Sequence, residues 1–399
     1  MLAPWSEAEL ADLIRGAEAP LVVQGGGTRP VGRPVDGTRL STENITGISL
    51  YEPGALTLVA RAGTPLAEIE ETLAAENQVL AFEPPDLRAV LGTEGTPTIG
   101  GVVATNASGP RRIAASGACR DALLGVRFVD GTGTVAKNGG RVMKNVTGYD
   151  LVKLFCGSWG TLGVLTEVSL KVAPKLSSAT IAIRGAEGAD ALSAMTDAVT
   201  SPFDISGAAY VPGEAVYLRI EGLEASITYR AGRLQSQLAG FGSVEITDDR
   251  EASAAIWQRL RDVRDFADDS YALWRVSMRP SAMFDALIAG ATELAPLDYR
   301  LDWSAGLAWL RLTEAEARTI ANARVPGDST AATGAAILHQ KLQDITAAAG
   351  GHATLFKAPE ALRRSVPSFQ PEAPGIAALS QGLRAKFDPR NLLNPGLML

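Results

Sequence analysis

Histidine and cysteine, the residues that most often carry reactive or metal chemistry, are nearly absent from this 399-residue chain, with two of each. Cys119 and Cys156 form no Cys-x-x-Cys pair, so they can build neither a disulfide framework nor an iron–sulfur site. His339 and His352 are too few for a usual zinc site, and no resident metal is expected. Long apolar runs are missing too. None approaches the ~18–20 residues that cross a bilayer, so no transmembrane segment is expected. The opening stretch MLAPWSEAELADLIRG is acidic and lacks the basic and apolar regions of a signal peptide. The expectation is a reduced, soluble, cytoplasmic protein. Positive charge is in deficit, 37 Lys and Arg against 44 Asp and Glu, a net of −7. That excludes a general nucleic-acid or anionic-membrane binder, because both need a basic face. Ser-x-x-Lys, Gly-x-Ser-x-Gly and His-Glu-x-x-His are also absent.

Glycine is in surplus, with 41 residues concentrated between positions 25 and 163. Hydrophobic residues make up 46% and charged residues 20%, enough for a large core. At ~150 residues per domain, the length suggests two or three domains. Ser6 and Glu9 cap a helix over 6–18, with Leu10, Leu13 and Ile14 at helical spacing. A strand at Leu21–Gln24 runs into Gly25-Gly26-Gly27-Thr28-Arg29; a strand at 57–62 precedes a helix opened by Pro65. Residues 81–120 read mostly as loop, a length that suggests binding. A hairpin spans 125–137, a short helix 149–155, and the clean alternation over 164–172 marks a half-buried strand. Beyond Pro174 glycine thins and strands alternate with helices, including one strand over 299–312 and a helix holding His339 on its surface. These features predict an α+β protein: residues 1–175, then an α+β domain over 176–375 whose antiparallel sheet is covered by helices, then a C-terminal helix and tail over 376–399 returning toward the first domain. Residues 361–375 read as a linker, and no internal repeat is visible.

Gly25–Arg29 is the best-placed anion site. Backbone N–H groups after a strand converge on a phosphate where no Cβ blocks them, and Arg29 adds charge. A tight turn is the alternative. It is not a dinucleotide fingerprint, since Pro30 stands where the third glycine belongs, and Gly131-x-Gly133-x-x-Ala136 reads as a β-turn. Thr98–Gly109, TIGGVVATNASG, removes bulk while Asn106 and Ser108 supply polar groups, which suits a flat ligand or a loop packed under a sheet. Arg111, Arg112 and Arg120 nearby suit an anionic ligand or a solvated loop. A third glycine group runs from Lys144 to Gly163. The Asn-x-Ser/Thr triplets at 44, 106 and 145 matter only in a secreted chain. For proton transfer His352, between glycines and Ala353, is the better base, though strand-entry packing also explains it; Arg275 suits a carboxylate anchor or an internal ion pair.

The series VVQGGGTRP, EPPD, TIGGVVATNASG, GACRDALLGVRFVDGTG and KNVTGYDLVKLFCGSWGTLGVLTEVSLKVAP resembles the FAD-binding domain of flavoproteins of the vanillyl-alcohol-oxidase, or PCMH, type. KFDPRNLLNPG resembles the C-terminal end of their 2-hydroxyacid-oxidising branch. With GRPVDG, GPRR, WRVSM, DWSAGLAWL and AGGHATLF, the chain is similar over nearly its whole length to the FAD-binding E subunits of bacterial glycolate oxidases. That resemblance implies a two-subdomain FAD-binding domain and non-covalent FAD, since no histidine lies in the flavin-binding loops. It assigns Gly25, Gly26, Gly27, Thr28 and Arg29 to the pyrophosphate, and Pro84, Thr98, Ile99, Gly100 and Gly101 to its flank and the ribityl chain. Asn106, Ser108 and Gly109 fall near the isoalloxazine, Gly117 and Asp121 on the opposite wall, and Gly160, Gly163, Val164 and Leu165 at the adenine. Relatives with hydroxyacid oxidase activity of their own carry further histidines and a carboxylate, often as a metal site; two histidines cannot assemble that set. The resemblance therefore implies an FAD-binding subunit of a glycolate oxidase or dehydrogenase. A homologous FAD-dependent catalytic subunit and an iron–sulfur subunit would be its partners, glycolate giving glyoxylate, at the inner face of a membrane only through those partners. Two alternatives remain. One is a self-sufficient FAD-dependent D-2-hydroxyacid dehydrogenase, with His352 as base and Arg275 or Arg112 as carboxylate anchor. The other is a structural subunit that binds FAD without redox turnover.

Overall fold

Alternation of apolar and polar residues drives Val164, Thr166, Val168 and Leu170 inward along the strand Val164–Lys171. That strand is the middle of a five-stranded antiparallel sheet, ordered Ile48–Glu52, Thr57–Arg61, Val164–Lys171, Leu123–Val129, Val135–Gly139. The helix Leu66–Ala75 packs Leu66, Ile69 and Leu73 into the same core. The computed structural model describes residues 1–114, 117–141, 148–268 and 270–398. Its chain divides into two compact units: Met1–Gly109, Ser116–Lys175 and Glu372–Met398 form the first; Pro110–Ala115, Leu176–Pro371 and Leu399 form the second.

A smaller layer of the first unit holds its termini together. The strands Leu21–Gln24 and Thr38–Ser41 pair in parallel, and the helix Glu7–Gly16, capped by Ser6, buries Leu10 and Ile14 with Leu40 and Leu393. The C-terminal tail completes this layer. Leu21 N–H donates to the Leu392 carbonyl at 2.7 Å, and Asn394 N–H to the Leu21 carbonyl at 3.0 Å. The Asn394 side chain accepts from Val23 N–H at 2.7 Å and donates to the Val23 carbonyl at 3.2 Å and the Trp159 carbonyl at 2.8 Å. Arg390 donates to the carbonyls of Ile14, Arg15 and Ala17 at the end of the first helix, and to Gly131. A cation at a helix C-terminus meets the negative end of the dipole as well as its unsatisfied carbonyls.

The second unit carries an eight-stranded sheet ordered Ser243–Thr247, Ser177–Arg184, Ala215–Gly222, Ile205–Val211, Asp298–Asp302, Leu307–Leu312, Ala272–Ser277, His352–Lys357, antiparallel throughout. Numbering the strands within each half gives 4-1-3-2 on one side and 2-3-1-4 on the other. Each half is a strand–helix–strand–strand–helix–strand unit, and the two meet through their second strands, where Tyr210 pairs with Leu301. The internal repeat that the sequence hides is therefore a repeat of hydrogen-bonding topology. Helices Gly188–Val199, Glu224–Leu238 and Ala331–Ala349 share one core with a face of the sheet.

Several expectations are corrected. Residues 299–312 form a hairpin rather than one strand, because Trp303, Ser304 and Ala305 all take left-handed φ values of 55°, 53° and 63°. The region 281–294 is built of 3-10, π and α turns in succession. The supposed linker holds a helix at Glu360–Ser365, and the helix Glu314–Arg324 escaped notice. Pro65 is an N-cap rather than the first helical residue, and Ile99–Ala104 is a helix inside the supposed loop.

His339 is 2% exposed rather than on the surface. Its Nδ1 accepts from Trp274 Nε1–H at 3.1 Å, so a proton on Nδ1 would set two donors against each other. Burial lowers its pKa from 6.5 to about 4. The unfolded chain thus binds a proton that the folded chain refuses. The associated stability is whole above pH 6.5 and is lost as the pH falls toward 4. Urea unfolding should show about 2 kcal/mol lost through this group between pH 6.5 and 5. His339→Gln should flatten that part of the profile; an unchanged slope would refute the assignment.

Candidate functional site

The first glycine group sits where two stretches of backbone abut. A Cβ on Gly25 would lie 2.2 Å from Thr98 Oγ1, one on Gly26 1.8 Å from the Thr96 carbonyl, and one on Gly95 1.7 Å from the Gly26 carbonyl. These glycines are demanded by the neighbouring chain itself. Gly27 differs: at φ 70° its missing Cβ would meet nothing closer than Gln24 at 3.8 Å. The backbone N–H groups of Gly25, Gly26, Gly27, Thr28 and Arg29 find no acceptor among the described residues. Successive unanswered amides around a left-handed residue form an anion-binding concavity. The Arg29 Nη2 donates to the Pro85 carbonyl at 2.6 Å, while its buried Nε finds no partner among the described residues. Burial lowers the Arg29 pKa to about 10, with Asp86 opposing. Pro84 and Pro85 are buried beside it, and Asp86, paired with Arg88, is held below the usual carboxylate range.

Thr98 caps the helix Ile99–Ala104 by accepting from Gly101 N–H. Ile99 and Gly100 spend their amides on the carbonyls of Thr64 and Ala62. The Thr98–Gly101 run therefore offers close approach, through Gly100 packed on Ala62, rather than free donors. Asn106, left-handed at φ 48°, accepts through Oδ1 from Arg120 N–H at 3.2 Å and from Cys156 Sγ at 3.4 Å. Ser108 Oγ accepts from Cys119 N–H at 3.0 Å, and Gly109 N–H donates to the Phe82 carbonyl at 2.9 Å. These polar groups first close their own loop. Gly117 is buried, whereas Asp121 is exposed on the helix Cys119–Ala122.

The third group closes the circuit. Gly157 and Trp159 donate to the carbonyls of Val103 and Ala104, and Gly160, at φ 70°, lies against Val23 and Asn394. The lead of that group, Lys144 to Thr147, lies outside the described residues. A Cβ on Gly163 would reach the Phe155 ring at 3.0 Å, and Val164 and Leu165 are buried. The three glycine groups thus converge within the first unit.

The second unit assembles the remaining candidates. Register places Arg275, Ser277, His352 and Thr354 on one face of the sheet, opposite the helix-covered core. The strained turn after Asp302 brings Trp303 to Arg275, 4.8 Å from guanidinium carbon to ring centroid, and to Arg112, at 5.8 Å. The turn is held by Ser304 N–H on the Ala208 carbonyl and by Asp302 Oδ1 accepting from Trp303 N–H. Burial lowers the Arg275 pKa to about 10; Asp302 opposes that and Arg112 adds to it. His352, on a strand edge and accessible, has its pKa lowered by the desolvation of its ring and by the Arg275 charge, so it is neutral at pH 7. Arg111 anchors the same segment by a two-pronged bond to Glu221, at 2.6 and 3.1 Å. Sequence reasoning missed Trp303 and Asp302, whose signal was only Ser304 and Gly306 in a run read as strand. Among the described residues no cluster of three or more His, Cys, Asp or Glu could hold a metal ion, and no helix is long and apolar enough to cross a membrane.

Comparison with known proteins adds the family. Residues 1–139 match the model of an FAD binding domain. The chain is 34% identical over 383 residues, 96% of its length and 93% of the relative's, to glycolate oxidase subunit GlcE of Escherichia coli (strain K12). Over 194 residues, 47% of this chain and 34% of the relative, it is 36% identical to the mitochondrial D-2-hydroxyglutarate dehydrogenase of Bos taurus. Among solved structures, an alkyldihydroxyacetonephosphate synthase shares the fold, with a TM-score of 0.67 at 16% identity over 98% of this chain and 76% of that one. The full-length agreement shows that the chain belongs to the family of glycolate oxidase subunit GlcE, FAD-dependent oxidoreductases with an N-terminal FAD-binding domain.

Proposed function

We propose that this chain is the FAD-binding subunit of a complex that oxidises glycolate to glyoxylate. Its electrons leave through a homologous flavin-bearing subunit and an iron–sulfur subunit, and any membrane attachment comes from those partners. The observation that carries the reading is similarity along 96% of the chain to a relative named as a glycolate oxidase subunit. Two cysteines are too few to ligate a cluster within this chain, so a partner must supply one.

The first unit fits FAD on its own terms. The five unanswered amides of Gly25–Arg29 and the orphaned Arg29 Nε are the donors a pyrophosphate needs. When bound, the flavin supplies the two-electron acceptor. Thr98–Gly101 pack close behind the turn; by resemblance Asn106, Ser108 and Gly109 with Gly117 and Asp121 would lie along the flavin ring, and Gly160, Gly163, Val164 and Leu165 would meet the adenine through backbone. No histidine lies in the first unit, so its loops would hold the flavin without a histidyl bond.

A second reading, turnover by this chain alone, is favoured by the meeting of Arg112 and Arg275 over Trp303, with His352 near enough to Arg275 to feel its charge. Arg275 and Arg112 would hold a 2-hydroxycarboxylate by its carboxylate. His352, neutral at pH 7, would take the hydroxyl proton on a ring nitrogen.

Co-purification from the native cell, with flavin and iron quantified, tests the first reading: iron should travel with the chain in a flavin-bearing complex, and a lone iron-free chain would refute it. Bleaching by glycolate or D-lactate without air should need the partners; bleaching of the isolated holo-subunit would establish the second reading. In that case Arg275→Met should slow bleaching by ~100-fold or more. For the cradle, Gly27→Ala should leave the fold intact at a cost of ~1–2 kcal/mol and weaken FAD retention. Gly26→Ala should prevent folding outright, since its methyl meets backbone. Normal FAD content in both variants would remove the turn from the site.

A further inference from the structure

The helix Pro374–Phe387 belongs to the first unit, yet none of its 14 residues is buried. Ala377, Ser380, Arg384 and Phe387 are half-buried and mark the side that rests on its own chain. There Phe387 meets the rings of Phe128 and Phe155, and Arg384 Nη2 approaches Met398 Sδ at 3.9 Å. Away from that side Ile376, Leu379 and Leu383 stand 54%, 67% and 38% exposed, at the spacing of one helical stripe. A helix of this length is marginal in water by itself, and helices in proteins are held mostly by covering an apolar face. Among the described residues nothing covers this one. Gly375 and Gly382 lie in the same stripe. Both have ordinary helical backbone, and a Cβ on either would meet nothing within 4 Å. Neither a turn nor a neighbouring strand requires these glycines, and each weakens the helix. What they provide is room on its outer surface. Charge is uneven along the helix: Glu372 precedes it, accepting from Ser380 Oγ at 3.0 Å, while Arg384 and Lys386 occupy the last turn.

We propose that this stripe is a self-association surface, on which a second copy of the chain lays its own Pro374–Phe387 helix antiparallel across a two-fold axis beside Leu379. The pattern is its own complement. Around that axis Leu379 meets its counterpart, Ile376 falls opposite Gly382, and Leu383 falls opposite Gly375. Each bulky side chain enters room that a glycine leaves. The antiparallel order also sets the acidic start of each helix beside the basic end of the other and opposes the two helix dipoles. A parallel pair would bring like charges together. The contact uses the same patch on both copies, so it closes at two and does not grow into a filament. A helix pair of this length buries less than the ~1,600 Å² of a standard interface, which predicts association in the ~10–100 µM range.

The test is sedimentation velocity of the full chain from ~1 to ~300 µM, over which the mass should move from that of one chain to that of two. Leu379→Glu, which sets two carboxylates on the axis, should weaken association by ~10-fold or more. Gly382→Leu separates folding from pairing. It should raise the melting temperature, because a helical glycine is replaced in open space, and abolish the dimer, because Ile376 loses its seat. Leu379→Cys should cross-link to a dimer under mild oxidation, whereas Gln381→Cys, on the other flank of the helix, should not; Cys119 and Cys156 are buried and do not compete. A single-chain mass at every concentration overturns the proposal. So does a dimer that Leu379→Glu and Gly382→Leu leave intact. Cross-linking of Leu379→Cys to a different subunit in cell extract, with the isolated chain monomeric throughout, overturns it as well, since the occupant is then not a second copy.

Discussion

Backbone against backbone, with no side chain between, is the constraint on which the first unit rests. The Gly25–Gly26 turn and the Gly95–Thr98 stretch approach so closely that a single methyl on Gly26 or Gly95 would occupy a carbonyl oxygen's place. Such a contact exists only if both sides give up Cβ atoms. It fixes the turn against the capped Ile99–Ala104 helix, and that helix in turn hands its last carbonyls to Gly157 and Trp159. One seam of missing side chains therefore sets the position of three glycine groups drawn from more than a hundred residues of sequence. Its by-product is a row of amides that the protein leaves unanswered, which is the property a phosphate-bearing cofactor requires.

The second unit solves a different problem. Two copies of the same strand–helix order share one continuous sheet, whose face opposite the three core helices is covered in the first half by the helix Arg250–Arg261. On that face the charged residues cluster around strain. Three consecutive left-handed residues at Trp303–Ala305 cost on the order of 1–2 kcal/mol each, and the sheet holds them through Ala208 and Asp302. The strained turn presents an aromatic face to two guanidinium groups, Arg112 arriving on a segment pinned by Glu221 and Arg275 from mid-strand. The indole face adds a cation–π contact to each guanidinium, and Asp302 partly offsets the burial of Arg275.

What the sequence revealed and what it hid follow from this. The alternation at 164–172, the capping residue Ser6 and the glycine surplus were all legible because they are local. Whether a glycine clears a ligand or a neighbouring strand is not local, and the letter is the same in both cases. Gly26 serves its neighbour, while Gly27 leaves space. Asn106 and Ser108 were rightly singled out as polar, yet their first partners are Arg120, Cys156 and Cys119, far along the chain. The 303–305 turn was invisible because its left-handed residues are a tryptophan, a serine and an alanine, none of which announces that conformation. His339 was misjudged from its polar neighbours, although its spacing from Ala335, Leu338 and Leu342 already placed it on the buried face. The duplicated topology left no trace in the letters, because any apolar alternation satisfies it.

The stitching of the tail to the strand Leu21–Gln24 has a bearing on how the molecule is made. Residues 388–394 emerge from the ribosome only after the whole of 176–371, so the first unit, begun earliest, is finished last. Until then the edge at Val23 and the carbonyls of Ile14 to Ala17 wait for Asn394 and Arg390. A translation product interrupted within the second unit would be left with an open flank, a form suited to disposal and not to cofactor loading.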